Sequence, residues 1–244
     1  MYIFHVGKTT FQLLKLTIGE TAETWSSAGF EVMELPNGSP GCQLGSVQIQ
    51  FNATGAQGIL SAVVFGLHGM IDSLQFDTEN GLSPTHNGMI DSLQFDTENG
   101  LSPTHNNAHL PSIHPNGVSR IDHLVVTTTD CDRTTDAFEA NGILPRRVRT
   151  FGDDGSKMRQ TFFWLGDVIL ELVGPHASED KGQTKFWGLA LISDDLRTTA
   201  DYLGSRCTPI KPAVQSGRKI TTIKTREIGI TTPLAVMSPH TKTD

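Results

Sequence analysis

One carboxylate stands in the middle of an apolar run. Residues 168–173 read VILELV, which sets Glu171 between Leu170 and Leu172. The run before it, MRQTFFWL at 158–165, is joined to it by Gly166-Asp167, a pair suited to a two-residue hairpin turn. That turn would place Phe162 opposite Glu171 and Trp164 opposite Ile169. A carboxylate held beside aromatic rings needs a partner, because burying a charge unpaired is costly. A metal ion or a buried cation would supply one, and Arg120, Arg147 and Arg149 are the guanidinium candidates. The second group is His123, in IDHLVV. Strand alternation puts Ile121, His123, Val125 and Thr127 on one face, and Ile169, Glu171 and Val173 on one face of their own strand. A lone histidine in a strand is also at home as a hydrogen-bonded core or edge residue. Trp164 and Trp187 read as core or cleft wall, and with Phe162 they could line a cavity.

Other constellations carry less chemistry. His86, His105, His109 and His114 look like a metal cluster, but Pro103 and Pro111 keep them off a single helix and two are copies of one residue. Gly7-Lys8-Thr9 imitates the end of a phosphate-binding loop, yet the glycine needed five positions earlier is Tyr2. Cys42, Cys131 and Cys207 form no CxxC pair, so free thiols in a reducing compartment are expected.

The chain of 244 residues is 37% hydrophobic and 18% charged, a globular rather than a disordered composition. Its net charge of -7 argues against a duplex nucleic-acid surface, which needs a basic stripe. The cluster Arg146, Arg147, Arg149 is too small to form such a stripe, although Arg147 and Arg149 would favour an anionic substrate. No apolar run approaches the roughly 20 residues of a membrane span. MYIFHVGKTT lacks the apolar core and cleavage site of a secretory signal. A soluble, cytoplasmic protein acting on a small molecule is expected, with no nucleic-acid or membrane partner.

Positioning these residues requires strands in a set order. Residues 121–128 read as a strand, Asp130 caps a helix that Asn141-Gly142 ends, and strands follow at 146–150, 158–165 and 168–173. This β-α-β-β-β order recurs, with a strand at 186–193, a helix over 194–203 ended by Gly204, and strands near 220–224 and 233–237. A fainter copy has a strand at 11–18, a helix at 21–28 and a last strand at 47–51. Between them, residues 69–87 (GMIDSLQFDTENGLSPTHN) are repeated letter for letter at 88–106. Two identical segments cannot both fill one native slot, so one copy is expected to be looped out or weakly packed. The domain reading is a degenerate N-terminal module at 1–66, a connector at 67–116, and paired modules at 117–176 and 184–240.

These residues resemble the vicinal-oxygen-chelate superfamily, the group of glyoxalase I, methylmalonyl-CoA epimerase and the extradiol dioxygenases. The carriers are IDHLVV followed by a helix, and ILELVGP ending at Pro175. The resemblance covers residues 117–240 well and the N-terminal third weakly. It implies an α+β fold of repeated βαβββ modules forming curled mixed sheets, paired within one chain or across a homodimer. It also implies a divalent metal (zinc, manganese, iron or nickel), held by a His, Gln or Glu on the first strand and a Glu on the last strand of each module. Carried over, His123 and Glu171 match the ligand positions of their module, with Glu171 also a candidate for moving protons. Gln50 of the N-terminal module is a third candidate ligand, and His176 another. The partner module has Gly188 and Ala235 at the corresponding positions, and neither can coordinate. Arg149, Phe162 and Trp164 are the candidate ligand-binding residues. The implied activities are isomerase, epimerase, lyase or dioxygenase chemistry on a small oxygenated substrate. The alternative is a metal-free protein that binds or sequesters a small molecule in the same cleft.

Overall fold

The computed structural model describes residues 11–53, 55–78, 114–153, 155–178 and 182–240. They build two curled mixed sheets and three α-helices, an α+β architecture. The N-terminal sheet contains β1 (Leu13–Ile18), then helix α1 (Ala22–Ser27), β2 (Met33–Glu34), β3 (Pro40–Leu44) and β4 (Val47–Phe51). It continues with β5 (Ile59–Val64), β6 (Gly69–Ile71) and β7 (Leu74–Phe76), in the order β2-β3-β4-β1-β5-β7-β6. The C-terminal sheet begins with β8 (Val118–Thr127), α2 (Cys131–Ala140), β9 (Arg147–Phe151), β10 (Met158–Leu165) and β11 (Val168–Pro175). It ends with β12 (Lys185–Ser193), α3 (Leu196–Leu203), β13 (Lys211–Pro212), β14 (Lys219–Thr222) and β15 (Leu234–Met237). Its order is β13-β14-β15-β12-β8-β11-β10-β9.

The same pairing logic builds both sheets. In the C-terminal sheet the two first strands, β8 and β12, pair antiparallel at the centre, and each pairs parallel with its own last strand, β11 or β15. In the N-terminal sheet β1 pairs parallel with β4 and antiparallel with β5. β5 therefore occupies the place that β12 holds in the other sheet.

Local chemistry sets the boundaries. Asp130 accepts from Arg133 N at 3.0 Å to cap α2, and Asp195 accepts from Arg197 N at 3.0 Å to cap α3. Gly166 has φ of 70°, as the tight β10–β11 turn requires. One hydrophobic cluster joins the sheets, including Trp25 and Phe76 from the first and Leu124, Phe163 and Leu172 from the second. Cys42, Cys131 and Cys207 are buried free thiols. No helix among the described residues is long and apolar enough to cross a membrane.

The segment read as a connector differs at both ends. Residues 69–76 form the β6–β7 hairpin, with Ile71, Leu74 and Phe76 buried. Its sequence is too short and too rich in turn residues to announce strands, and burial in the sheet supplies what propensity does not. At the other end His114 is 2% exposed, its Nδ1 accepting from Glu31 N at 2.9 Å and its Nε2 bonded to Gln43 O at 2.8 Å. This histidine is therefore a structural bridge. The second copy of the repeat, His86, His105, His109 and Gly7-Lys8-Thr9 lie outside the described residues.

The first copy is fastened by Asp72, at the hairpin turn. Arg133 Nε donates to its Oδ1 at 2.8 Å, and Thr134 and Thr184 donate to its Oδ2. Burial would raise the Asp72 pKa, but these bonds outweigh burial and hold it below the usual carboxylate value. A carboxylate depressed in the folded state adds stability above its unfolded pKa, and that stability is lost as pH falls through the folded value. Asp72→Asn is therefore expected to cost about 1–3 kcal/mol at neutral pH, a difference that shrinks on acidification below about pH 4. Denaturant melts at two pH values check this. A silent Asp72→Asn, made costly only by adding Asp91→Asn, would mean that the second copy can take the slot. Deleting residues 88–106 removes none of the described contacts. It about halves the chain between Phe76 and His114, so stability should hold or rise by about 0.6 kcal/mol. A clear fall in Tm would show that both copies are needed.

Candidate functional site

The register brings the sequence candidates onto one face of the C-terminal sheet. One row runs Trp164, Ile169, His123, Ala190 and Ala235 across β10, β11, β8, β12 and β15. The next runs Arg147, Phe162, Glu171, Val125 and Gly188. Paired residues point to the same side of a sheet, so His123 and Glu171 share this face on adjacent strands. Their neighbours Leu124, Leu170 and Leu172 are fully buried in the core beneath. The Phe162–Glu171 and Trp164–Ile169 pairs form as the hairpin turn predicts.

Above this face lies a cavity of about 650 Å³. His123, Phe162, Trp164 and Ile169 line its sheet side, with Arg146, Arg147 and Arg149 along β9 and the turn before it. The opposite wall is Val214, Gln215 and Ser216 in the β13–β14 connection, with Arg218 and His240. Trp164 remains 48% exposed, so the aromatic wall opens to solvent. Trp187 is half-exposed and is absent from the lining, which corrects its expected place in the cleft.

Two carboxylates adjoin the lining residues in different states. Asp122 Oδ2 lies 2.8 Å from His123 Nδ1 and accepts from Arg218 Nη1 at 2.9 Å. The His123 approach is close but poorly aligned for a hydrogen bond, since Nδ1 has no aligned partner among the described residues. Burial would raise the Asp122 pKa, but the contacts with His123 and Arg218 overcome it and hold the carboxyl at about 2. Glu171 goes the other way. Burial pushes it above the usual value, and the His123 charge, a Gln160 hydrogen bond and Arg149 offset burial only in part.

Arg218 and its partners carry no sequence signal. The residue follows Ser216-Gly217 in what reads as an ordinary turn, yet its side chain is 0% exposed. Its Nε donates to Ser238 O at 2.8 Å and its Nη1 lies 3.1 Å from His240 Nε2. A guanidinium has no acceptor, so His240 Nε2 accepts.

The expected metal ligands come together only in part. Gln50 lies in the N-terminal sheet, where its Oε1 accepts from Lys15 Nζ at 3.2 Å and Asn37 Nδ2 at 3.0 Å. His176 is exposed at the end of β11. Ala190, rather than Gly188, shares the His123 row, and neither offers a donor. A Cβ on Gly188 would meet Pro233 O at 2.6 Å, so a larger residue there would displace backbone. Among the described residues no three His, Cys, Asp or Glu side chains converge. Catalytic zinc takes three protein ligands, and non-haem iron two histidines and a carboxylate. A pair of donors beside several guanidinium groups does not fit either.

The arrangement of strands has solved counterparts. A mutant of 4-hydroxymandelate synthase from Streptomyces coelicolor aligns over 96% of this chain and 94% of its own, with TM-score 0.54 and 12% identity. A fusion of a xylose isomerase-like TIM barrel with a 4-hydroxyphenylpyruvate dioxygenase aligns over 96% of this chain and 50% of its own, with TM-score 0.54 and 10% identity. Methylmalonyl-CoA epimerase from Mycobacterium tuberculosis covers 52% of this chain and 91% of its own, with TM-score 0.41 and 18% identity. No protein-family model and no curated sequence matches the chain. Two curled sheets, each with first strands paired at its centre, define the vicinal-oxygen-chelate, glyoxalase-like fold. The described residues of this chain have that fold.

The Asp122 carboxylate gives a measurable consequence for the site. A depressed folded pKa contributes stability above the unfolded value of 3.8, which is lost as pH falls toward about 2. Asp122→Asn should therefore cost about 2 kcal/mol at pH 7. Paired urea melts of parent and variant should converge between about pH 4 and pH 2. A loss that stays constant across that window would show that the charge on Asp122 is not what matters.

Proposed function

We propose that the C-terminal sheet binds a small oxygen-bearing molecule with an apolar body in the cavity over His123. The lining of that cavity carries this reading. It offers Phe162, Trp164 and Ile169 as apolar surface and four arginines with no carboxylate among them. Phe162 and Trp164 would hold the flat or apolar part of the ligand, and Arg149 would favour anions. Concave, largely apolar sites with a few convergent polar groups are the usual form of small-molecule pockets. Binding or sequestration without a resident metal is the version that the donor set supports.

A second reading is a divalent metal on His123 and Glu171, favoured by their shared face on adjacent strands. One experiment separates the two. Chelator-treated protein is titrated calorimetrically with 1-naphthoate, and metal content is measured by elemental mass spectrometry in the parent, His123→Ala and Glu171→Ala. Saturable one-to-one binding is expected in the presence of chelator, weakened about tenfold by Trp164→Ala, equivalent to about 1.4 kcal/mol. Stoichiometric metal lost in both site variants, with naphthoate binding only after zinc, manganese or iron is restored, would overturn that reading in favour of the metal enzyme.

A further inference from the structure

We infer that Arg218 is a buried anchor for an anionic oxygen, so that the cavity's ligand carries a carboxylate or similar acid on an apolar body, acid group inward. The inference rests on the cavity reading above and adds the charge and orientation of what is bound.

The geometry of the guanidinium is the main argument. A structural arginine–carboxylate pair is commonly bidentate, with two nitrogens on the two oxygens. Here Asp122 takes only Nη1, and Nε is used by the Ser238 carbonyl. Nη2 is buried with no hydrogen-bond partner among the described residues, although Arg218 lines the cavity. A buried charged donor left without an acceptor is strongly disfavoured. The Arg218 side chain is 0% exposed, so a small shift of the side chains over it would open Nη2 to the cavity, where an anionic oxygen would complete the fork.

Charge balance agrees. Arg146, Arg147, Arg149 and Arg218 all line the cavity, and no aspartate or glutamate does. The nearby carboxylates offset only part of this: Asp122 is shared between Arg218 and His123, and Glu171, beside Phe162, is hydrogen-bonded to Gln160. A walled site lined by one sign of charge concentrates the opposite ion. The three arginines of the β9 side are exposed or half-buried, so they attract without orienting, whereas Arg218 is held by three partners. With the acid group at Arg218, an apolar body would extend toward Phe162 and Trp164 on the sheet wall. Arg218 is a positioning group in this proposal, and no bond is made or broken.

The test compares 1-naphthoate with 1-naphthalenemethanol, two probes of one skeleton that differ in charge. Calorimetric titrations are run at about 0.5 M salt, where a screening length near 4 Å weakens the exposed arginines more than a buried one. The parent protein should prefer the acid roughly 10- to 100-fold, the range of a charge-assisted hydrogen bond. Arg218→Lys keeps the charge but removes Nη2, and should lose most of the preference for the acid over the alcohol. Because Arg218→Met alone would strand Asp122, the paired variant Asp122→Asn/Arg218→Met serves as the second probe, with its fold checked by thermal melt. It too should bind both probes alike. Equal binding of the two probes by the parent, or an undiminished preference in either folded variant, would overturn the anchor and leave the cavity reading standing. Failure of both probes to bind the parent would overturn the cavity reading itself, and the anchor with it.

Discussion

A carboxylate holds the two sheets together from inside. Glu20, at the end of β1, is 5% exposed, yet its oxygens accept from five donors. Trp25 Nε1 reaches one oxygen at 2.8 Å, and the backbone and hydroxyl groups of Thr231 and Thr232 converge on the other at 2.6–2.9 Å. Gly58 N in turn donates to the Thr231 hydroxyl at 3.0 Å. Burying a charge is tolerable only when its acceptor capacity is filled. Because the donors come from both halves of the chain, this knot forms only when the N-terminal sheet is seated against the loop that leads into β15.

The seating has consequences at the site. β15 pairs with β12 and β12 with β8, so locking the approach to β15 also fixes the strand that carries His123. The same face continues through β11 and β10 to β9, which sets the arginines opposite the β13–β14 connection. Charged groups at the cavity then fall into two kinds. Arg218 is buried and paired through Nη1 with the half-buried Asp122, while Arg146 and Arg147 stand in solvent. The first kind gives geometry and the second gives a field.

The repeated segment obeys the same economy of burial. Residues 69–76 of its first copy fill a hairpin slot, with Phe76 packed edge-on to Phe138 and Phe186, and Asp72 bonded across to α2. Interiors are close-packed and hold one occupant per position, so this slot has room for a single copy.

Much of the C-terminal sheet was legible in the sequence. Alternation, the Gly166-Asp167 turn and the Asp130 cap are local signals, and they determined β10 and β11, their register and the start of α2. Glu171 among aliphatic residues was equally legible as a group in need of a partner. The β6–β7 hairpin was not, because short strands take their stability from the sheet they join rather than from their own residues. Nor were Asp122, Arg218 and His240, which lie 96 and 22 positions from one another along the chain in their hydrogen-bonded pairs. The sequence by itself determined the central strands of the C-terminal sheet, how the β10–β11 hairpin pairs and which of their residues share a face, since those depend on neighbours a few positions apart. Only the tertiary structure decided which charges face each other across the cavity, because that depends on bringing together the ends of two modules that no local interaction connects.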